Sequence, residues 1–173
     1  MAQFADQQTT DNAQPERRMG LDVGDKRIGI ALTDELGLTV QPLMTLERTG
    51  SRREAIRSIA RLARRHAVTA IVVGLPLHAS GQLSPQAKKT QAFAAELGEF
   101  SGLPIYLLDE RYTSGQAHEI LYQAGRKRQD HKDVVDQLAA VLILEAFVEG
   151  LEAGKPERAT GESEQAKGQS FDA

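Results

Sequence analysis

Asp22, Glu110 and Asp136 are the acidic residues whose surroundings give them work beyond solubility. Asp22 interrupts the apolar run Met19-Gly20-Leu21-Asp22-Val23. A carboxylate inside a central strand is costly unless something pairs with it. Gly24, close behind, lets another backbone or a substrate approach. The plain alternative is an acid at a strand end that caps the Gly24 turn. Glu110 follows the apolar stretch Pro104–Leu108 within Asp109-Glu110-Arg111. Ligands of open α/β sheets gather beyond the carboxyl ends of parallel strands; the alternative is a local pair with Arg111. Asp136 is expected in the first turn of the last helix, where the helix dipole favours an acid in any case. Asp133, one turn earlier, is either a cap or a fourth ligand.

Three carboxylates brought into one pocket repel one another, and divalent cations relieve that repulsion. Oxygen-only donors suit Mg²⁺ or Mn²⁺. Two such ions, about 4 Å apart, would hold a phosphate, activate water and stabilise the leaving oxygen. The chain has no cysteine, which excludes disulfides, zinc–thiolate sites and thiol nucleophiles. His66, His78, His118 and His131 share no ligand spacing; His131 alone is placed to touch a phosphate.

The segment Gly125-Arg126-Lys127-Arg128-Gln129-Asp130-His131-Lys132 runs directly into the helix of Asp136. Its cations Arg126, Lys127, Arg128 and Lys132 could hold a phosphate backbone against the metals. Arg27, Arg111, Thr113 and Ser114 complete the candidate nucleic-acid contacts, the two hydroxyls standing at a helix start that suits an anion. Arg53, Arg57, Arg61 and Arg64 recur at helical spacing and read as a solvated face. Aromatic residues are scarce, which points to recognition of backbone and shape rather than base stacking.

The elements that must position these groups follow from periodicity. Met19–Val23, Arg27–Leu32 and Leu38–Leu46 read as strands joined by short turns, an antiparallel meander. Ser51-Arg52-Arg53-Glu54 is a capping box opening a helix to about His66. Its inner face carries Ile56, Ile59, Leu62 and Ala63. Thr69–Val73 is a β-branched strand. Ser84-Pro85 opens a second helix to about Phe100, and Pro104–Leu108 is the fifth strand. A helix from Ser114 to Gly125 and a largely buried one over Val134–Val148 close the order βββαβαβαα. Strand–helix–strand crossovers imply parallel pairing. The expected fold is α/β, RNase H-like, a mixed five-stranded sheet with helices on both faces.

The domain is expected over residues 18–152, with polar tails at 1–17 and 153–173 too poor in apolar residues to offset their ordering entropy. The net charge of −3 comes from those tails, because residues 19–150 carry sixteen Lys/Arg and sixteen Asp/Glu. A neutral domain binds a polyanion if its cations share one face. No run reaches membrane-spanning length and no secretory apolar region is visible, so the expectation is a cytoplasmic protein.

Four stretches resemble one known family. Gly20-Leu21-Asp22-Val23-Gly24-Asp25-Lys26-Arg27-Ile28-Gly29-Ile30-Ala31 is similar to the opening signature of the YqgF/RuvX family. Val73-Gly74-Leu75-Pro76-Leu77, Asp109-Glu110-Arg111-Tyr112-Thr113-Ser114 and Lys132 to Glu145 resemble its later motifs, in order, over about residues 18–150. The resemblance implies a cytoplasmic bacterial nuclease that matures the 5′ end of pre-16S rRNA in ribosome biogenesis, from a family earlier described as a Holliday junction resolvase. It maps the family's acidic triad onto Asp22, Glu110 and Asp136.

Three other readings stand beside the rRNA nuclease, which could be a monomer or a homodimer. A junction resolvase would use the same triad as a dimer on branched DNA. A non-catalytic binder of RNA or of a transcription complex would show salt-sensitive binding without products. An actin-like ATPase also opens with Asp-x-Gly, but that fold needs two such domains and this length suits one.

Overall fold

The computed structural model describes residues 16–110 and 132–152. Three antiparallel strands come first: β1 (Arg18–Val23), β2 (Arg27–Thr33) and β3 (Val40–Glu47). Helix α1 (Arg52–Arg65) leads to β4 (Ala70–Leu75), and α2 (Pro85–Ser101) leads to β5 (Ile105–Asp109). Helix α3 spans Lys132–Glu152. The sheet order is β3-β2-β1-β4-β5, with β4 parallel to both β1 and β5. The expected mixed five-stranded sheet is therefore observed. The helix expected over 114–125 lies outside the described residues.

The local chemistry explains the boundaries. Ser51 and Glu54 form the expected reciprocal cap, with Glu54 N donating to Ser51 Oγ and Ser51 N donating to Glu54 Oε2. Ser84 caps α2 ahead of Pro85, and α2 ends on Gly102 at φ 71°, a left-handed conformation that glycine adopts freely. The third strand starts two residues later than its apolar pattern suggests. Asp34 Oδ1 accepts from Leu38 N at 2.8 Å and Thr39 N at 3.4 Å, which holds Leu38 and Thr39 in the turn. Glu16 and Arg17 are already tied to the domain: Glu16 N donates to Glu35 O, and Arg17 O accepts from Thr69 N at 2.8 Å.

Strand alternation divides the core in two. Met19, Leu21, Ile28, Ile30, Ile71, Val73 and Ile105 face α1 and α2. On α1 the apolar stripe Ile56, Ile59 and Ala63 is buried, while Arg53, Arg57, Arg61 and Arg64 are exposed, as a solvated face requires. Ala31 and Val72 face the other way, against Ala140, Ile143, Leu144 and Phe147 of α3. Ile143 and Leu144 are fully buried; truncating either to alanine would cost about 2–5 kcal/mol.

Helix α3 lies unusually close to the sheet. A Cβ at Gly20 would stand 2.8 Å from Leu144 Cβ and 2.9 Å from Ala140 O. Gly29 meets the helix backbone at Asp136, and Gly74 meets the Ile143 side chain. Side chains on β1 and β2 at Gly20 and Gly29 would push the helix away, and with it whatever its first turns carry.

Candidate active site of carboxylates

Asp22 lies on the α3 side of the sheet, because its neighbours Leu21 and Val23 occupy the opposite core. In the β1–β2 pair it sits opposite Gly29. In the β1–β4 pair Leu21 is opposite Val73, and one further step brings Asp22 level with Gly74. Glu110 follows the last residue of β5 directly, and a Cβ at Gly74 would come within 2.6 Å of its Oε1. Asp22, Gly74 and Glu110 thus form a row across the carboxyl ends of three adjacent strands. Asp136 overhangs that row from α3, its carbonyl resting on Gly29.

The electrostatics show that these acids share a space. Burial, and then the charge of Asp136, push Asp22 up to about 6. Burial, then the charges of Asp22 and Asp109, push Glu110 up to about 7. Among the described residues, no hydrogen bond contributes to holding Asp22 in its ionised form. Both carboxyls therefore hold their protons more tightly than usual, and a bound cation would favour their ionised forms.

Asp136 departs from expectation in two respects. It is the fifth residue of α3 rather than part of its first turn, because the helix begins at Lys132, ahead of the apolar pattern. Asp133 instead occupies the first turn, exposed, with its carbonyl accepting from Thr45 Oγ1 at 2.7 Å. The Asp136 side chain is engaged by Arg27, whose Nε donates to Oδ2 at 2.7 Å across 109 residues of sequence. Arg27, expected as a nucleic-acid contact, is thus an ion-pair partner within the site. As they stand, no three acidic or imidazole side chains among the described residues converge tightly enough to enclose a cation. The donor chemistry still fits a hard dication: oxygen-only ligands, two of them with raised proton affinities, the third held by a replaceable guanidinium.

A second group of side chains fixes the β1–β2 turn next to Asp22. Arg48 Nη1 donates to Gly24 O at 2.7 Å, and its guanidinium lies 5.5 Å over the Phe93 ring. Gly24 N donates to Arg27 O at 2.9 Å, and Gln86 Nε2 to Val23 O at 3.3 Å. Arg48 carries no motif that marks it in the sequence. Its placement at the end of β3, opposite the turn, was the available signal. Arg111, Thr113, Ser114, Arg126, Lys127 and Arg128 lie outside the described residues, and Lys132 opens α3. His118 and His131 also fall outside them, while His66 caps α1 and His78 belongs to a short turn.

A carboxylate row at the strand ends of a β3-β2-β1-β4-β5 sheet, overhung by a helix, defines the RNase H-like class. Solved structures agree on the fold. The Thermus thermophilus RuvC structure in complex with a Holliday junction substrate superposes with a TM-score of 0.56 at 12% identity, covering 82% of this chain and 99% of that one. The yeast mitochondrial Holliday junction resolvase Ydc2 gives 0.50 at 13% identity, covering 79% of each chain. Within that class, the RuvX family model, described as Holliday junction resolvase, matches residues 16–150, and the chain belongs to that family of nucleases. Curated relatives carry the provisional name pre-16S rRNA nuclease. One from Pelotomaculum thermopropionicum is 41% identical over 84% of this chain and 93% of its own length. Another from Lachnospira eligens is 42% identical over 77% and 96%. Among the described residues no helix is long and apolar enough to cross a membrane.

Proposed function

We propose that this protein is a metal-dependent endonuclease that hydrolyses phosphodiesters of structured nucleic acid, with the 5′ end of pre-16S rRNA as substrate. The observation that carries the reading is the row formed by Asp22 and Glu110, where burial and neighbouring acids (Asp136 for Asp22, Asp22 and Asp109 for Glu110) raise both proton affinities, with Asp136 above it. Asp22, Glu110 and Asp136 would hold Mg²⁺ or Mn²⁺. Bound there, such ions would supply Lewis acidity toward a phosphate and a water molecule.

The chain's own residues do the rest. Asp22 presents its carboxyl from β1 and Glu110 from the residue that follows β5, so the sheet sets their relative positions. Glu110, poised near neutrality, gives up its proton when positive charge arrives beside it. Arg27, with its terminal nitrogens in no ion pair among the described residues, has donors left for a phosphate oxygen. Arg111, Thr113, Ser114, Arg126, Lys127, Arg128 and Lys132 are assigned to the substrate backbone. RNA is favoured as substrate by the names of the curated relatives. The family description favours a second reading, a dimeric resolvase of branched DNA.

One experiment separates these readings. The full-length protein is incubated with precursor 16S rRNA and with a four-way DNA junction, each with Mn²⁺ and with chelator. Shortened rRNA 5′ ends in Mn²⁺ alone support the proposal. Paired symmetric cuts in the junction, with rRNA intact, replace it with the resolvase. Salt-sensitive binding without any product would make the protein a binder and overturn both.

A further inference from the structure

We infer that Arg27 is the resident counter-cation of Asp136 and sets the site's affinity for its divalent ion by competing for that carboxylate. The inference rests on the metal reading above and adds a specific competitor to it.

The geometry makes the competition direct. Arg27 Nε lies 2.7 Å from Asp136 Oδ2, within hydrogen-bond range of the oxygen a cation would take. Both ends of the pair are fixed in the backbone and free at the tip. Arg27 is the first residue of β2, and its carbonyl accepts from Gly24 N in the tight turn. The backbone of Asp136 is seated on Gly29. Neither backbone needs to move for the contact to break, because the arginine side chain is long enough to swing. The pair is also only partly buried, with side-chain exposures of 32% and 23%. Such pairs are weak, so a dication can displace the guanidinium, yet at a cost subtracted from its binding. A displaced Arg27 keeps its planar donors, which match a phosphate. Cation and substrate backbone would then draw Arg27 in the same direction, and each would favour the other's binding.

The test is a Mn²⁺ titration read by the electron paramagnetic resonance signal of the free ion, without turnover. It compares wild type, Arg27→Met, Asp136→Asn and the double variant, each checked for folding by circular dichroism. Arg27→Met is expected to bind Mn²⁺ roughly fivefold tighter, the amount a partly exposed pair can withhold. On the Asp136→Asn background the same change should have less than about a twofold effect, because the competitor then has nothing to hold. Should Arg27→Met fail to fold, Arg27→Gln carries the same expectation with more of the polar side chain kept. Unchanged or weaker binding overturns the inference while leaving the metal reading intact. An equal gain on the Asp136→Asn background overturns it too, since a general field effect would then suffice. Wild type that binds no Mn²⁺ overturns the metal reading and this inference together.

Discussion

Gly29 lies under the carbonyl of Asp136, and a methyl group there would overlap that oxygen. The same glycine is the register partner of Asp22. One missing side chain therefore lets the helix-borne acid approach the strand-borne acid. Gly29→Ala must displace backbone rather than a flexible tip, and overpacking of this kind costs about 1–3 kcal/mol. Urea unfolding should show a lowered midpoint with an unchanged slope. Mn²⁺ affinity should fall as well. Stability and affinity equal to wild type would mean that α3 is not seated on Gly29.

The raised proton affinities of Asp22 and Glu110 give a pH dependence of definite sign. A carboxyl that binds its proton more tightly folded than unfolded stabilises the fold in acid. That contribution is present below the ordinary carboxylate range. It is lost as the pH rises through about 6 for Asp22 and about 7 for Glu110. In chelator, the melting temperature of the wild type should therefore decline across that window relative to a Glu110→Gln variant. Mg²⁺ or Mn²⁺ should remove the difference by favouring the ionised forms. Cleavage runs the opposite way and should fall as the pH drops through the same window. Identical melting profiles for the two proteins in chelator would contradict the assigned shifts.

Asp22→Asn separates stability from activity. It removes a partly buried charge that no hydrogen bond among the described residues supports, so thermal stability in chelator should hold or rise at about pH 8. Cleavage should drop by more than about a hundredfold, beyond what loss of an outer-shell partner costs. A stable variant that cleaves at the wild-type rate would remove Asp22 from the site.

The basic segment before α3 offers a test of substrate contact. Replacing Arg126, Lys127 and Arg128 together by alanine should weaken RNA binding and lower the slope of log affinity against log salt by about 2–3. Mn²⁺ affinity should be unaffected. An unchanged slope would place the phosphate backbone elsewhere.

Much of this arrangement is written locally. Alternating apolar residues mark β1 and β2, the Ser51–Glu54 box marks the start of α1, and Ser84-Pro85 marks that of α2. An acid breaking an apolar strand marks Asp22, and an acid at a parallel strand's end marks Glu110. What was not legible depends on contacts between distant segments. The Arg27–Asp136 pair joins residues 109 positions apart, and neither carries a local sign of the other. The placement of Asp136 one turn into α3 was obscured because Lys132 and Asp133 are polar and extend the helix beyond its apolar stretch. Gly20, Gly29 and Gly74 carry a partial signal: each falls at a position of its strand that faces away from the α1 and α2 core. Their meaning emerges only when α3 is laid across them.

The central claim is that Asp22, Glu110 and Asp136 jointly hold the ions that hydrolyse the substrate. Its most direct test is Mn²⁺ binding by calorimetry, with cleavage of precursor 16S rRNA measured on the same preparations of wild type, Asp22→Asn, Glu110→Gln and Asp136→Asn. The account predicts that wild type binds Mn²⁺ and cleaves only in its presence, and that each neutralised carboxylate weakens binding by more than about tenfold, a loss of over about 1.4 kcal/mol. Cleavage that persists in chelator, or three variants that bind Mn²⁺ as wild type does, would contradict it.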